Sequence, residues 1–476
     1  MRFRRYKASD FKPVRFFRRS KVAACPNEQP TQESGIAFLQ TWKFLSPFDW
    51  CLVSGILVLM MVHIGFVFLD FRGADGSVFS VGGLVNYAHH LSLLLALAIC
   101  CFLMMNFHHL LRPSTLTLAI IGMGGYLVMT SVFWEMEGLN ILQCIESSLV
   151  PAVLWALVYL MTFVLARKCA GSSVVLVPYF LGMLIFCGWL YQRSLAWRSA
   201  NAMEETQLNE VYYVVLLLPW ILMIKRPVWR WLGVLTVAFL TALSVKRTAF
   251  VVLAGCLLCY LLVHVVVDRK QSWMRSILFA CGLLLFGGVA FFCYDEYRGG
   301  IFAARFQTSI DDEGSGRLDI YRNMFRLIAK SAPEQLALGH GFDTAKNYTG
   351  VDPGERRGLS AHNDWLETIF DYGIPGLFLY AVIHVFLILK IVKLIRLRSA
   401  FAAPFASTYP VFLVMSLISH LIIYPSYFLF ITALWGTIDG ADWDFPMTTS
   451  RSLGRGVKAQ LSRIPQPRPF HQFNSL

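Results

Sequence analysis

Long apolar runs recur along most of this 476-residue chain, and they constrain its fold more than any other feature. Each run is about 18 to 25 residues long, the length that a helix needs to cross the hydrocarbon core of a bilayer. Hydrophobic residues make up 56% of the sequence and charged residues only 15%, too few to cover the surface of a soluble protein of this size. The sequence therefore predicts a helical membrane protein and excludes a soluble domain.

We predict an all-α polytopic membrane fold with about twelve transmembrane helices and one large periplasmic loop between the ninth and tenth spans. The spans cover roughly residues 48–70, 84–107, 115–133, 145–166, 172–191, 208–224, 229–245, 248–267, 276–293, 374–394, 406–423 and 426–440.

The rest of the chain then divides around these spans. The expected units are a basic cytoplasmic tail (1–47), helices 1–9 (48–293), a periplasmic catalytic loop (294–373), helices 10–12 (374–440) and a cytoplasmic tail (441–476). The net charge is +13, but the basic residues form short clusters between apolar runs. This placement indicates control of membrane topology, and it argues against binding of nucleic acid.

One basic pair departs from the rule that cations stay on the cytoplasmic side. Lys246 and Arg247 lie in a very short turn that the predicted topology places outside. A miscounted span, or two side chains that snorkel to the membrane surface, would account for this. The other interpretation is an anion-binding site at the membrane face. The sequence leaves both interpretations open.

A compact motif closes the long polar segment 294–363. His362 and Asn363 are followed by nine residues, Gly373, two residues and Gly376. Asn363 can cap a helix, and the following acids recur at helical spacing, so that they share one face. Gly373 and the Pro375 turn then break or bend this helix before the apolar run resumes. We expect an imidazole at a capped helix start, level with the membrane surface; the alternative is a plain membrane-entry turn.

Upstream of this motif, Arg317 opens an amphipathic helix. The apolar stripe of that helix contains Tyr321, while Arg322 lies on another face. A turn with the sequence Gly339-His340-Gly341 follows, and we expect His340 to be structural.

This succession resembles the O-antigen ligase and polysaccharide polymerase family, whose members are integral membrane glycosyltransferases that use polyprenyl-diphosphate donors. The resemblance covers roughly residues 244–380 in order: Arg247, Arg317, the Gly-x-Gly turn, and the His-Asn motif with its two glycines. It implies a multi-pass enzyme of the bacterial inner membrane that transfers a glycan from undecaprenyl diphosphate to a sugar hydroxyl at the periplasmic face. The acceptor would be lipid A-core for a ligase or a growing polysaccharide for a polymerase, and the sequence leaves both open.

Chemistry and resemblance together assign the candidate site residues. Arg317 and Arg247 would stabilise the departing diphosphate, since a guanidinium offers a planar fork of donors and keeps its charge. His362 would take the acceptor proton, and Asp364 or Glu367 could orient its ring. The further candidates for substrate binding are Lys246, Arg322 and Asn363.

No metal and no cofactor are expected. The acidic run Asp311-Asp312-Glu313 is the only acidic cluster of the loop, and it is typical of a solvated segment. The alternative function is a transporter or flippase of lipid-linked sugars. That class usually shows an internal repeat and charged residues at mid-membrane, and we see neither in this sequence.

The predicted topology can be tested by labelling. A cysteine introduced into residues 294–363 of a cysteine-free variant should react with a membrane-impermeant maleimide in intact spheroplasts, because that loop is predicted to be periplasmic. A cysteine in either tail should react only after lysis and serves as the control. The reverse pattern would overturn the topology.

Overall fold

The structure is a computed structural model of the chain. It describes residues 46–69, 82–131, 141–168, 176–200, 208, 210–224, 226–244, 246–267, 282, 288–289, 291–297, 299–300, 303–304, 307, 317–342, 344–345, 360–419, 421 and 425–441. Residues 1–45 of the predicted N-terminal tail, nearly all of the C-terminal tail, most of the ninth predicted span and the acidic run 311–313 lie outside the described residues.

The described part of the chain is all-α, as predicted, and contains no strand. In chain order the helices are α1 (Pro47–Leu69), α2 (Gly82–Phe107), α3 (Thr115–Ser131), α4 (Ile141–Lys168), α5 (Leu176–Ala200), α6 (Val211–Leu216), α7 (Leu218–Leu222), α8 (Pro227–Ser244), α9 (Arg247–Val267), α10 (Arg317–Lys330), α11 (Pro333–Leu338), α12 (Asp364–Arg396), α13 (Ala402–Ile418) and α14 (Pro425–Ala441). A short 3-10 helix, His108–Leu110, follows α2.

Four helices of the described residues are long and apolar enough to cross a membrane: Leu91–Leu110, Pro227–Ser244, Arg247–Val267 and Asp364–Arg396. Most of the predicted spans coincide with helices, although the sixth is divided between α6 and α7. The chain therefore has the helices of a membrane protein, while the count of twelve spans and the periplasmic side of the loop stay predictions.

The helix that follows the His-Asn motif reverses its direction at Gly373. The ring of Trp365 lies with its centroid 4.8 Å from that of His384 and 5.1 Å from that of Tyr380. In one straight helix, residues 365 and 384 would be about 28 Å apart at 1.5 Å per residue. We call residues 364–372 the short arm and residues 374–396 the long arm. The short arm runs back beside the long arm, so the predicted break or bend is a reversal of the chain.

Two glycines and a turn hold this reversal. Gly373 has φ 71° and ψ −174°, a backbone conformation that side chains with a Cβ rarely adopt. A Cβ on Gly373 would lie 2.7 Å from the carbonyl oxygen of Leu336 in α11. A Cβ on Gly339, which has φ 83°, would overlap the carbonyl of Asp371. The predicted break at Gly373 is thus a contact between two stretches of backbone.

The carbonyls at the end of the short arm are bonded from outside the helix. The N–H of His340 donates to the carbonyl of Phe370 at 2.9 Å, and the N–H of Gly341 donates to that of Asp371 at 3.0 Å. The hydroxyl of Tyr126 in α3 donates to the carbonyl of Tyr372 at 2.7 Å. Because unpaired carbonyls at a buried helix end are costly, these bonds stabilise the position of the arm.

A second close approach joins α4 to α14. Gly436 and Gly440 form a Gly-x-x-x-Gly pattern, and a Cβ on either would overlap a backbone carbonyl of α4. Small residues at this spacing let two membrane helices pack backbone to backbone. Asp439 lies between them, fully buried, and pairs with Lys390 of α12 at 2.6 Å. The hydroxyl of Tyr159 also donates to Asp439, at 2.6 Å. These contacts tie the far end of α12 into the bundle.

The reversal makes Gly373 sensitive to any side chain. Gly373→Ala should destabilise the protein by about 1–3 kcal/mol, since it combines a left-handed backbone with a backbone overlap. Gly125→Ala in α3 is the control, because a Cβ there meets nothing within 4 Å. The measurement is the midpoint of thermal unfolding of both variants in detergent. Equal midpoints would contradict the reversal.

Candidate active site at the start of the short arm

His362 precedes the short arm in a left-handed backbone conformation. Its φ is 56°, and Arg398 is the only other non-glycine residue of the described chain with a positive φ. The N–H of His362 donates to the Oε1 atom of Glu367 at 3.1 Å, and the side chain is half-buried. The imidazole therefore sits on a backbone turn that its surroundings hold in a strained form.

Asn363 caps the short arm, as predicted. Its Oδ1 accepts from the N–H of Trp365 at 3.0 Å and of Leu366 at 3.2 Å. Its Nδ2 donates to the carbonyl of Leu417, at the end of α13, at 3.2 Å. These bonds fix the arm against α13, and contact of Asn363 with substrate stays a prediction.

The three acids of the short arm are all buried. Asp364 and Glu367 are 1% exposed and Asp371 is 0% exposed. Asp364 accepts from the N–H of Leu421 at 3.0 and 3.1 Å, which ties the arm to the segment after α13. The hydroxyl of Thr344 donates to Asp371 at 3.1 Å. Each acid therefore has its own partner, and Glu367 is the one that contacts His362.

Tyr321 joins the arm to α10. Its hydroxyl donates to the carbonyl of Leu417 at 3.0 Å and lies 3.5 Å from the carbonyl of His362. Burial raises the pKa of this hydroxyl; the nearby charge of Arg317 opposes the rise, and the carboxylate of Glu367 adds to it. The charge of Arg317, the acid Glu367 and the backbone of His362 thus meet around one phenol.

Arg317 is positioned by the packing of α10. It is the first residue of that helix, one turn before Tyr321, and its side chain is half-buried. The inner face of α10 packs on the short arm in a small apolar cluster: Ile320, Met324, Ala345, Ala361, Leu366 and Phe370. An amphipathic helix anchored in this way holds an arginine at its start close to the arm.

The cations of the α8–α9 turn reach the same region. The turn is tight, since α8 ends at Ser244 and α9 begins at Arg247. The Nζ atom of Lys246 lies 5.5 Å from the centroid of the Tyr212 ring. The hydroxyl of Tyr212 lies within hydrogen-bonding reach of Ser419, just after α13, and the charge of Arg317 acts on it. The Lys246–Arg247 turn and the His-Asn motif therefore lie at the same end of the molecule.

His340 has the contacts of a structural residue, in line with the prediction. Its ring stacks on Phe370 with centroids 4.1 Å apart, and its Nε2 bonds the hydroxyl of Ser331 at 2.9 Å. Burial lowers the pKa of this imidazole. His340 thus supports the turn that caps the short arm.

The remaining predicted residues lie outside this group. Arg322 is exposed on α10, where its guanidinium pairs with Asp319 at 2.9 Å. Its predicted contact with substrate rests on the sequence alone. Gly376 is the third residue of the long arm, and a Cβ there would overlap the side chain of Tyr372. Its part is close packing.

Sequence reasoning missed the two tyrosines that connect the site. Tyr321 was assigned to the apolar stripe of its helix, and Tyr212 was placed within a span. A tyrosine within an apolar stripe or span gives one signal in the sequence: its hydroxyl needs a hydrogen-bond partner when it is buried.

Part of the chain that contains this site is similar to known proteins. Comparison with curated proteins gives no match. Residues 232–381, which contain Lys246, Arg247, Arg317 and His362, match a family model described as O-antigen ligase. This match confirms the resemblance found in the sequence: the stretch from the last thirteen residues of α8 through the first part of α12 is similar to O-antigen ligases.

Proposed function

We propose that this protein is a metal-independent membrane glycosyltransferase of the O-antigen ligase type. It transfers a glycan from undecaprenyl diphosphate to a sugar hydroxyl at the periplasmic face of the inner membrane. The observation that supports this most is the convergence of Arg317, Lys246 and the backbone of His362 on Tyr212 and Tyr321. A transporter of lipid-linked sugars, the alternative from the sequence, is not supported by the family match.

The cations suit the leaving group. As the acceptor oxygen bonds to the anomeric carbon, the bond from that carbon to the diphosphate oxygen breaks, and the negative charge of the lipid diphosphate grows. Arg317 and Arg247 would stabilise this charge with Lys246 beside them, since fixed donors aimed at developing charge lower the barrier. The diphosphate leaves as an anion and needs no proton.

The imidazole suits the acceptor. Neutral His362 would take the proton of the attacking hydroxyl, since its ordinary pKa lies close to the pH of the periplasm. His362 precedes the short arm in a left-handed turn, and its carbonyl lies 3.5 Å from the hydroxyl of Tyr321, on which the charge of Arg317 also acts. The proton then passes from the imidazole to solvent.

In this reaction, cationic side chains would hold the diphosphate in place of a divalent ion. The buried acids of the short arm accept hydrogen bonds from Leu421, Thr344 and the N–H of His362. Such bonded carboxylates serve the fold, whereas Arg317, Lys246 and Arg247 are only half-buried. The acceptor, either lipid A-core or a growing polysaccharide, is the point on which ligase and polymerase differ.

The roles of His362 and Arg317 can be separated by substitution. His362→Ala should lose about two to four orders of magnitude in turnover while it still binds donor, because a proton acceptor is removed. Arg317→Ala should lose turnover as well, and Arg317→Lys should restore it only partly, since lysine lacks the planar fork. Arg326→Ala, on the exposed face of the same helix, is the matched control.

The measurement is transfer in vitro by purified variants, with donor binding and expression level followed in parallel. Near-normal turnover of a well-expressed His362→Ala variant would refute the proposed mechanism. Loss of turnover in Arg326→Ala as large as in Arg317→Ala would show that the effect arises from α10 as a whole.

Metal independence has a direct test. Purified enzyme should transfer glycan from a polyprenyl-diphosphate donor at an undiminished rate in excess EDTA, because arginines and a lysine offset the diphosphate charge. A glycosyltransferase known to require manganese, assayed in the same buffer, is the control. Inactivation by EDTA that added magnesium or manganese reverses would refute this part of the proposal.

A further inference from the structure

The structure assigns Glu367 a positioning role in the proposed reaction: through its carboxylate it holds the backbone of His362 in the left-handed turn that aims the imidazole. This inference rests on the proposed function of His362. It differs from the expectation that an acid orients the imidazole ring, because the contact observed is with the main chain.

The left-handed turn needs a restraint. A residue with a Cβ at φ 56° is less stable than in its ordinary conformations, and such strain persists only where neighbours enforce it. The N–H of His362 donates to Oε1 of Glu367 at 3.1 Å. This bond is the restraint available to the turn, and it depends on the reach of a side-chain oxygen to the N–H.

The position of Glu367 explains why this acid makes the contact. The N–H of Glu367 donates to the carbonyl of Asn363 at 3.0 Å, so Glu367 stands one helical turn after the cap. From there its side chain reaches back over the helix start to the residue before the cap. The arrangement is akin to a capping box in which the acid lies one position later.

The neighbouring acids cannot replace it. Asp364 accepts from Leu421 and from the hydroxyl of Tyr380, and Asp371 accepts from Thr344. Glu367 is 1% exposed, so the N–H that it accepts from is shielded from water on that side. Loss of this acceptor would leave the N–H of His362 to find another partner by a change of backbone conformation.

The turn decides where the imidazole points. A side chain leaves its Cα in a direction set by φ and ψ, so relaxation of His362 to an ordinary conformation moves the ring away from its place. A displacement of about 1 Å in a catalytic group can cost about 100-fold in rate. Glu367 would therefore act on turnover through His362 and have little effect on the binding of donor.

Two substitutions of Glu367 separate the effect of side-chain length from the effect of charge. Glu367→Gln keeps an acceptor oxygen at the same distance along the side chain but loses the charge. Glu367→Asp keeps the charge but is one methylene too short to reach the N–H. We expect Gln to retain turnover within about tenfold of the wild type and Asp to lose about 100-fold, with KM for donor nearly unchanged in both. The opposite order would show that the carboxylate charge matters and would refute the positioning role.

A double substitution tests whether Glu367 acts through His362. In the His362→Ala background, Glu367→Asp should cause no further loss of turnover, because no imidazole is left to position. A further 100-fold loss there would overturn the positioning role and leave the function of His362 intact. Near-normal turnover of His362→Ala alone would instead contradict the proposed function, and the positioning role with it.

Stability is controlled with a matched variant. Thr344→Val removes the buried hydrogen bond to Asp371 on the same arm without touching His362. Its turnover per folded molecule should equal that of the wild type, and unfolding midpoints should be measured for all variants. If Thr344→Val loses turnover as strongly as Glu367→Asp, any weakening of the arm is sufficient, and the specific role of Glu367 is refuted.

Discussion

The contact between two stretches of backbone at Gly339 and Gly373 is the constraint on which the site depends. The short arm can turn back only because neither position carries a Cβ, so that the α11 turn can press against the end of the arm. Once reversed, the arm ends beside α11 and begins beside the end of α13. Its carbonyls are bonded by the N–H groups of residues 340 and 341. With a straight helix, the backbone of His362 would lie far from Tyr321 and the end of α13.

The acids and the cations of the site differ in burial. The acids of the short arm are almost fully buried, and such groups are stable only where hydrogen bonds replace their hydration. Each acid has such a bond, to a backbone N–H or a hydroxyl. Arg317, Lys246 and Arg247 are only half-buried. The acids thus serve as fixed acceptors that shape the arm, while the cations stay partly exposed.

The sequence predicts local features of this site better than its assembly. The helical bounds on either side of Lys246, the cap at Asn363 and the break at Gly373 follow from hydrophobic length, capping chemistry and glycine. The direction of the chain after Gly373 depends on α11, which is distant in sequence. Rules about neighbouring residues therefore do not predict this direction. The same holds for Tyr321, whose partners belong to α12 and α13. It also holds for the choice of Glu367 over Asp364, because both lie on the same helical face.

The basic pair at the α8–α9 turn departs from the positive-inside rule in the predicted topology, and such a departure can indicate a functional site. Cations are normally kept from outer turns. If this turn lies outside, as the sequence predicts, the pair serves something other than orientation. In the structure the charges of Lys246 and Arg317 both act near the ring or hydroxyl of Tyr212, from two segments distant in sequence. Like charges brought together repel each other, and the repulsion falls when an anion lies between them. A diphosphate held there would relieve this repulsion, and the relief would grow as its negative charge increases in the transition state. The cost of gathering the cations in the free protein would then favour transfer over mere binding.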